Sequence, residues 1–220
     1  MLAKLRPRAA DQSAIDLIMM RRCIALSAEA AKQGEFPFAA LIAEGDRIIV
    51  EVTNHVVRKS DVTQHAELLA VSEAQRLLGR NDLSRCTIYS NIEPCAMCSF
   101  SIRETGIARV VFAISSPMMG GFSKWSVLRD TEISNVMPEA FGAVPEVIVG
   151  LLRQEAEQVW QDWNPVAWAI IKHRGCFGSE RGAVRTLETI PRRRSVLRTL
   201  ATLYRLWRGF TRASRSSPTV

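Results

Sequence analysis

The 220-residue sequence predicts a layered α/β domain. Short apolar runs of strand length alternate along the chain with longer segments whose apolar residues recur at helical spacing. After a first helix, the predicted order is β-β-α-β-α-β-α-β, and no internal repeat interrupts it. The sequence contains no run of 18 apolar residues, so it predicts no transmembrane helix.

A helix and a hairpin are predicted at the start of the chain. Apolar residues recur at roughly helical spacing from Ser13, and Gly34 is a residue type that ends helices. The apolar residues 38–43 predict a buried strand, and residues 47–52 predict a second strand joined to it by a tight turn. A polar connection, residues 53–62, leads out of this hairpin.

The second helix is predicted to begin at His65, where Asp61 or Thr63 can cap it. A third strand at residues 87–89 then leads to Pro94, which suits the first position of a helix because its missing N–H has no intrahelical partner there. The remaining predicted elements are a helix at 95–105, a strand at 109–114, a loop with a short helix at 115–129, a strand at 146–149 and a helix at 151–163.

Two short motifs carry the chemistry of the sequence. The first is His65-Ala66-Glu67 and the second is Pro94-Cys95-Ala96-Met97-Cys98. Zinc prefers imidazole and thiolate ligands, and a catalytic zinc keeps one of four tetrahedral corners for water. Cys95 and Cys98 lie three residues apart, on one face of a first helical turn whose positive end favours thiolates. We therefore predict a catalytic Zn²⁺ site with the ligands His65, Cys95 and Cys98.

A lone C-x-x-C also occurs in redox pairs and in structural zinc knuckles. The sequence has no second C-x-x-C, and both Pro94 and the upstream H-x-E favour catalysis instead. The other cysteines are expected to be small core residues or incidental thiols: Cys23, Cys86 and Cys176. His55 and His173 are expected at the surface or at a packed edge.

H-x-E followed by P-C-x-x-C is the signature of zinc deaminases, and from about residue 36 to about residue 149 the sequence resembles the cytidine/deoxycytidylate deaminase superfamily. It is most similar to the branch that holds guanine deaminases, bacterial nucleoside deaminases and tRNA adenosine deaminases. The resemblance implies a three-layer α/β/α fold with a five-stranded mixed sheet, cytidine deaminase-like, and a homodimer.

The resemblance also implies roles for residues around the metal. Glu67, which is not a zinc ligand, would take a proton from the attacking water, pass it to a ring nitrogen and assist the departure of ammonia. Asn54 would hydrogen-bond the substrate base or ribose, Phe36 would border the pocket, and Ala66 would contact the base through its backbone N–H. From the residues alone, Asn54 also fits a turn, and Phe36 also fits ordinary core packing.

The loop at residues 115–125 departs from the pattern of these relatives. Guanine deaminases carry an acidic residue there that reads the amino group of the base, and the tRNA enzymes usually place an aspartate there. This loop contains no acid. Its large apolar residues either wall an apolar pocket or pack in a dimer: Met118, Met119, Phe122 and Trp125.

The positive charge of the chain is confined to its C-terminal end. Residues 181–220 hold ten arginines and one acid, which gives +9, whereas residues 1–180 hold 19 bases and 21 acids, which gives −2. We predict a deaminase domain at 1–180 and a basic tail at 181–220, in which residues 195–210 fit an amphipathic helix. Such a helix would suit nucleic acid, an anionic membrane surface or an acidic partner, and the alternative is a poorly ordered extension with incidental arginine content.

The sequence thus predicts a zinc-dependent hydrolase that deaminates a free nucleobase or nucleoside of purine type. An alternative is wobble-position adenosine deamination in tRNA, although RNA binding calls for basic residues that the predicted domain lacks. A further alternative is a non-catalytic, zinc-stabilised binding module. The odd number of cysteines and the absence of an apolar N-terminal leader favour a cytoplasmic location.

Overall fold

A computed structural model describes residues 9–178 of the chain, with side chains from residue 11 onward. In this part five strands form one sheet: β1 (Ala39–Glu44), β2 (Arg47–Thr53), β3 (Thr87–Ile92), β4 (Arg109–Ile114) and β5 (Glu146–Val149). The helices are α1 (Ala9–Lys32), α2 (Val56–Lys59), α3 (Ala66–Leu78), α4 (Ala96–Glu104), α5 (Thr131–Val136), α6 (Arg153–Trp163) and α7 (Pro165–His173).

The sheet is mixed, with the strand order β2-β1-β3-β4-β5. Strand β1 pairs antiparallel with both β2 and β3, whereas β3, β4 and β5 run parallel. Alternate residues of β1 enter opposite cores: Leu41 packs with α1, α6 and α7, and Ile42 packs with α3 and α4. This arrangement confirms the predicted three-layer α/β/α fold.

The strand pairings bring four chain segments to one edge of the sheet. Parallel β3 and β4 both end there, with Ile92 paired to Ile114. Because β1 is antiparallel to β3, it begins at the same edge, and β2 ends there with Thr53 opposite Ala39. The residues before β1 and those after β2, β3 and β4 are therefore neighbours, although they are far apart in the sequence.

The local predictions differ from the structure mainly around the two motifs. Neither Asp61 nor Thr63 caps α3, because the Asp61 carboxylate accepts hydrogen bonds from the backbone N–H and hydroxyl of Thr63 within a turn. His65 is instead the N-terminal cap residue, and its side chain makes no cap hydrogen bond. Pro94 is not in the first helical position either, since it precedes the cap residue Cys95 of α4.

Two helices and one strand also differ from the prediction in position or length. The polar connection contains the short helix α2, and the short helix predicted within residues 115–129 lies later, at α5. Strand β3 continues to Ile92, because the polar Asn91 is buried and bonds the backbone of Pro37 and Ala39 next to β1. The predicted domain boundary at residue 180 and the basic tail lie outside the described residues.

Within residues 9–178, none of the helices is both long enough and apolar enough to cross a bilayer.

Candidate metal centre and substrate pocket

The three predicted metal ligands lie at the N-terminal ends of two neighbouring helices. His65 is the cap residue of α3 and Cys95 the cap residue of α4, while Cys98 lies in the first turn of α4. His65 Nδ1 lies 3.6 Å from Cys95 Sγ and 3.5 Å from Cys98 Sγ, and the two sulfurs are 3.6 Å apart.

These spacings fit a tetrahedral zinc ion. With Zn–S and Zn–N bonds of about 2.3 and 2.0 Å, the edges between ligand atoms of a tetrahedron are about 3.5–3.8 Å long. Among the described residues, His65, Cys95 and Cys98 form the group of histidine, cysteine and acidic side chains whose ligand atoms converge closely enough to hold a metal ion. The donor set of one imidazole and two thiols matches zinc, and it leaves one corner open.

Hydrogen bonding divides the protons unequally between the two thiols. The hydrogen bond from Cys98, together with the nearby His65, lowers the pKa of Cys95 to about 4. Donation to Cys95 and burial raise the pKa of Cys98 well above its ordinary value. The hydrogen bond to Cys95 raises the pKa of His65. A metal ion must therefore displace the Cys98 proton, because the thiolate is the ligating form.

Glu67 lies beside the three ligands without belonging to them. It is the second residue of α3, and its side chain is buried against the metal site, with Oε2 3.7 Å from Cys98 Sγ. Its Oε1 accepts a hydrogen bond from the Ser90 hydroxyl at 3.1 Å. Burial raises the pKa of Glu67. The carboxyl group is thus held in a fixed orientation beside the metal ligands.

A cavity of about 280 Å³ opens on the metal site. Its apolar lining consists of Phe36, Phe38, Val56, Ile92, Met119 and Phe177. Its polar lining consists of Asn54, His65, Glu67, Glu93, Cys95 and Ser116. The cavity therefore combines aromatic walls with a few polar groups, as small-molecule sites commonly do.

The structure brings most of the predicted site residues to this cavity. Phe36 and Asn54 both line it, Phe36 from the segment before β1 and Asn54 from the end of β2. Ala66, the first residue of α3, is fully buried and is not among the residues that line the cavity. The roles of these three residues toward a substrate remain predictions.

The loop after β4 supplies less of the cavity wall than its apolar residues suggest. Met119 lines the cavity, but Phe122 packs against Phe112 of β4 with ring centroids 6.2 Å apart. Met118 and Trp125 are 46% and 57% exposed and are absent from the cavity lining. Of these four residues only Met119 lines the cavity, and dimer packing of the exposed Met118 and Trp125 stays a prediction.

Glu93 holds this loop in place. Its buried carboxylate accepts hydrogen bonds from the backbone N–H groups of Ser116, Phe122 and Ser123 at 2.6, 3.0 and 2.6 Å. The Ser123 hydroxyl donates a fourth, at 2.6 Å. Both carboxylate oxygens are therefore occupied by the loop, and Glu93 offers the cavity no free acid although it lines it.

Two glycines allow the loop to approach so closely. A Cβ atom at Gly120 would overlap the carboxylate of Glu93, and one at Gly121 would overlap the hydroxyl of Ser99 on α4. The Gly121 N–H also donates to the carbonyl of Pro94 at 2.8 Å, directly before the first cysteine ligand. The position of the loop is thus coupled to that of the metal site.

The segment after α7 closes the cavity with an aromatic residue. The Gly178 N–H donates to the Ser115 carbonyl at 3.0 Å, and the Ser116 hydroxyl donates to the Cys176 carbonyl at 3.1 Å. These contacts place Phe177 against Phe38, with ring centroids 6.1 Å apart.

Four residues important to the site were not identified from the sequence: Glu35, Ser90, Glu93 and Phe177. Glu93 directly precedes the P-C-x-x-C motif, and this adjacency was the one available signal. Of the remaining cysteines, Cys23 and Cys86 are buried, as expected of core residues, and Cys176 is partly exposed.

Comparison with known proteins agrees with this site. The zinc-binding region of cytidine and deoxycytidylate deaminases matches residues 14–114. A probable cytosine deaminase of Schizosaccharomyces pombe is 42% identical over 102 residues, which cover 46% of this chain and 61% of that protein. A tRNA-specific adenosine deaminase of Aquifex aeolicus is 38% identical over 107 residues, which cover 48% of this chain and 71% of that protein.

A solved structure from studies of A-to-I editing by tRNA:A34 deaminases at the wobble position of transfer RNA has the same fold. The TM-score is 0.57 and the identity 26%, over 64% of this chain and 98% of that chain. This chain spans less than two thirds of the length of the Schizosaccharomyces pombe relative.

Substitution of the loop glycines should disturb both the fold and the site. We expect Gly120→Ala or Gly121→Ala to lower the free energy of unfolding by about 1–3 kcal/mol, the usual cost of overpacking. Gly142→Ala is the matched control, because the nearest atom to an added Cβ there lies 3.9 Å away. Denaturant unfolding of the three variants measures the difference. Equal stabilities would show that the loop does not need this close approach.

Proposed function

Because this chain belongs to the cytidine and deoxycytidylate deaminase family, we propose that it hydrolyses the exocyclic amine of a free nucleobase or nucleoside of purine type and releases ammonia. One observation carries the proposal. The carboxyl group of Glu67 is buried beside the three metal ligands, 3.7 Å from one of them, and faces an aromatic cavity. A structural zinc site needs neither the carboxyl group nor the cavity.

The residues of the site suit a hydrolytic exchange of an amine for an oxygen. A zinc ion held by His65, Cys95 and Cys98 would supply Lewis acidity, so that water can lose a proton near neutral pH and attack a ring carbon as hydroxide. Glu67 accepts the first proton of the water and delivers it to the adjacent ring nitrogen. It then transfers the second proton to the amino nitrogen, the C–N bond breaks, and ammonia leaves while the C–O bond remains.

Ser90 assists Glu67 by fixing one of its oxygens. The hydroxyl of Ser90 donates to Oε1, so Oε2 is the oxygen on the metal side that is free to move protons. Such a positioned proton shuttle typically contributes about 10²–10⁴ in rate.

The cavity favours a small heteroaromatic substrate. Its volume of about 280 Å³ lies at the small end of ligand pockets, and Phe36, Phe38 and Phe177 offer faces or edges for stacking with a base. Among the described residues that line it, the two acids are Glu67, assigned to proton transfer, and Glu93, whose oxygens are occupied. A guanine-type amino group would thus find no free carboxylate in the described wall.

Deamination of adenosine in tRNA is the second candidate, and the similarity to the tRNA-specific adenosine deaminase of Aquifex aeolicus favours it. An RNA substrate brings many phosphates, and cationic side chains dominate the affinity for them. The net charge of −2 in residues 1–180 leaves the ten arginines of residues 181–220 as the main source of such contacts. The two candidates therefore differ in their dependence on the tail.

We also propose that a second copy of the chain covers the apolar patch formed by Phe100, Val136, Met137 and Phe141. These side chains surround a shallow depression on the α4 side of the sheet, and the rings of Phe100 and Phe141 lie 6.1 Å apart. Phe100 is 45% and Val136 70% exposed, which is unusual for large apolar residues that are grouped together.

Substitutions of Glu67 and Cys98 should distinguish zinc binding from turnover. We expect one zinc per chain in the wild type and in Glu67→Gln, but a loss of stoichiometric zinc in Cys98→Ser, because Glu67 is not a ligand. Ammonia release should fall by about 10²–10⁴ in Glu67→Gln and stay unchanged in Glu73→Gln, a partly exposed position on the same helix.

Elemental analysis and an ammonia assay over bases, nucleosides, s-triazines, pterins and tRNA measure both quantities. Stoichiometric zinc without turnover of any of these substrates would support the alternative of a zinc-stabilised binding module.

The effect of deleting the tail on kcat/KM should show whether the substrate is a free base or tRNA. If the substrate is a base or nucleoside, deletion of residues 181–220 should leave kcat/KM unchanged at any salt concentration. If the substrate is tRNA, the deletion should lower kcat/KM and flatten its steep salt dependence. A variant whose ten tail arginines are glutamine separates the loss of charge from the loss of chain. A salt-dependent defect of that variant on tRNA would overturn the free-base assignment.

The apolar patch should control the oligomeric state. We expect the zinc-loaded protein to sediment with twice the chain mass of 24.5 kDa, and Phe100→Asp to sediment as a monomer. Val166→Asp is the control, because Val166 is exposed on α7, across the sheet from α4. Sedimentation velocity measures the masses, and a monomeric wild type would exclude this dimer.

A further inference from the structure

A buried glutamate lies behind the cavity wall, outside the metal site. Glu35 is 1% exposed and lies between α1 and Phe36. Its Oε2 accepts hydrogen bonds from Asn54 Nδ2 and from the Val57 N–H, both at 3.1 Å. Its Oε1 accepts one from the Arg58 N–H at 2.6 Å. The carboxylate thus joins the cavity residue Asn54 to the start of α2.

This contact fixes which way the amide of Asn54 points. A carboxylate that already accepts two backbone N–H groups can meet the amide only through the nitrogen, since an oxygen there would face another acceptor. The backbone of Asn54 is also held, because its N–H donates to the Phe38 carbonyl at 3.0 Å. The backbone position of Asn54 and the direction of its side-chain amide are therefore both fixed.

The oxygen of the same amide is left for a ligand. Asn54 is 2% exposed and lines the cavity. In the described part of the chain no group donates a hydrogen bond to its Oδ1, yet this atom is not among the buried polar atoms without a partner. The Oδ1 atom is therefore open to the cavity as a hydrogen-bond acceptor.

We propose that Glu35 is a positioning residue, which holds the amide nitrogen of Asn54 toward itself and the amide oxygen toward the cavity. The substrate must then present an N–H or O–H donor to the Asn54 oxygen. The inference rests on the proposed deaminase function and narrows its substrate class. A site built to pair with a donor rejects an analogue that lacks it far more strongly than it rejects a change of size. Glu35 acts on specificity without touching the substrate.

Exchange of acid and amide between the two positions tests this inference. In Glu35→Leu, no acceptor faces Asn54 Nδ2, so nothing holds the amide nitrogen away from the cavity. In Asn54→Asp, two carboxylates face each other. In the double variant Glu35→Gln/Asn54→Asp, the glutamine nitrogen donates to the aspartate, and the second aspartate oxygen again offers an acceptor to the cavity.

We expect each single variant to lose at least tenfold in kcat/KM, mainly through KM, and the double variant to recover at least tenfold relative to either. An aspartate can only accept, so recovery also requires a donor on the substrate. Asn54→Asp and the double variant differ only at residue 35, so their difference reports on the group that faces residue 54. A double variant no more active than Asn54→Asp would overturn the proposal.

Arg58→Ala is the matched control. It removes the side chain that lies 3.7 Å from the Glu35 carboxylate without touching Asn54, and 41% of that side chain is exposed. Its kcat/KM should equal that of the wild type. A loss as large as that of Glu35→Leu would assign the effect to the ion pair and overturn the proposal.

The side-chain amide of Asn54 gives a readout that needs no turnover. Its ¹⁵N–¹H resonances, identified by their absence from Asn54→Asp, should include a downfield proton in the zinc-loaded wild type that moves upfield in Glu35→Leu. An unchanged resonance would overturn the positioning role even in an active enzyme. A shifted resonance in a protein that deaminates nothing would instead reject the proposed function and retain the positioning role.

Discussion

The site depends on the meeting of two helix N-termini at one edge of the sheet. His65 and Cys95 are 30 residues apart in sequence, yet their ligand atoms are 3.6 Å apart because α3 and α4 both begin at that edge. The antiparallel pairing of β1 with β3, followed by the parallel pairing of β3 with β4, fixes this geometry. The same helix ends bring unpaired N–H groups and partial positive charge, which favour thiolate over thiol.

Buried carboxylates organise the walls around this centre in a common way. Glu35 accepts two backbone N–H groups from the short helix α2, and Glu93 accepts three from the irregular loop after β4. Irregular backbone next to a cavity has polar groups that must find partners, and an ionised acid satisfies several of them at once. The cavity thus gains fixed walls from two acids that take no part in the proposed chemistry.

The metal centre could be predicted from the sequence, because its ligands follow local spacings that depend on single helical turns. The strands at residues 109–114 and 146–149 were also predicted correctly, since apolar runs mark them. The end of β3 was missed because Ser90 and Asn91 are polar. Each is buried for a tertiary reason, Ser90 against Glu67 and Asn91 against the backbone before β1.

The supporting residues could not be predicted for a related reason. Glu35 and Glu93 look like ordinary surface acids in the sequence, and only the approach of distant backbone N–H groups shows that they are buried. Phe177 lies beyond every motif, and it reaches the cavity because the chain after α7 bonds to the residues that follow β4. Such contacts join segments separated by roughly 60 residues in the sequence, and a local sequence pattern cannot reveal contacts over so large a separation.

The loop after β4 divides into a fixed base and a free tip. Gly120 and Gly121 are locked against Glu93 and Ser99, whereas the neighbouring Met119 lines the cavity and remains 47% exposed. A variant library confined to position 119 could therefore reshape the mouth of the cavity while the glycine pair keeps the metal site intact. The chain thus offers protein engineering a position where substrate scope and catalytic geometry can be varied separately.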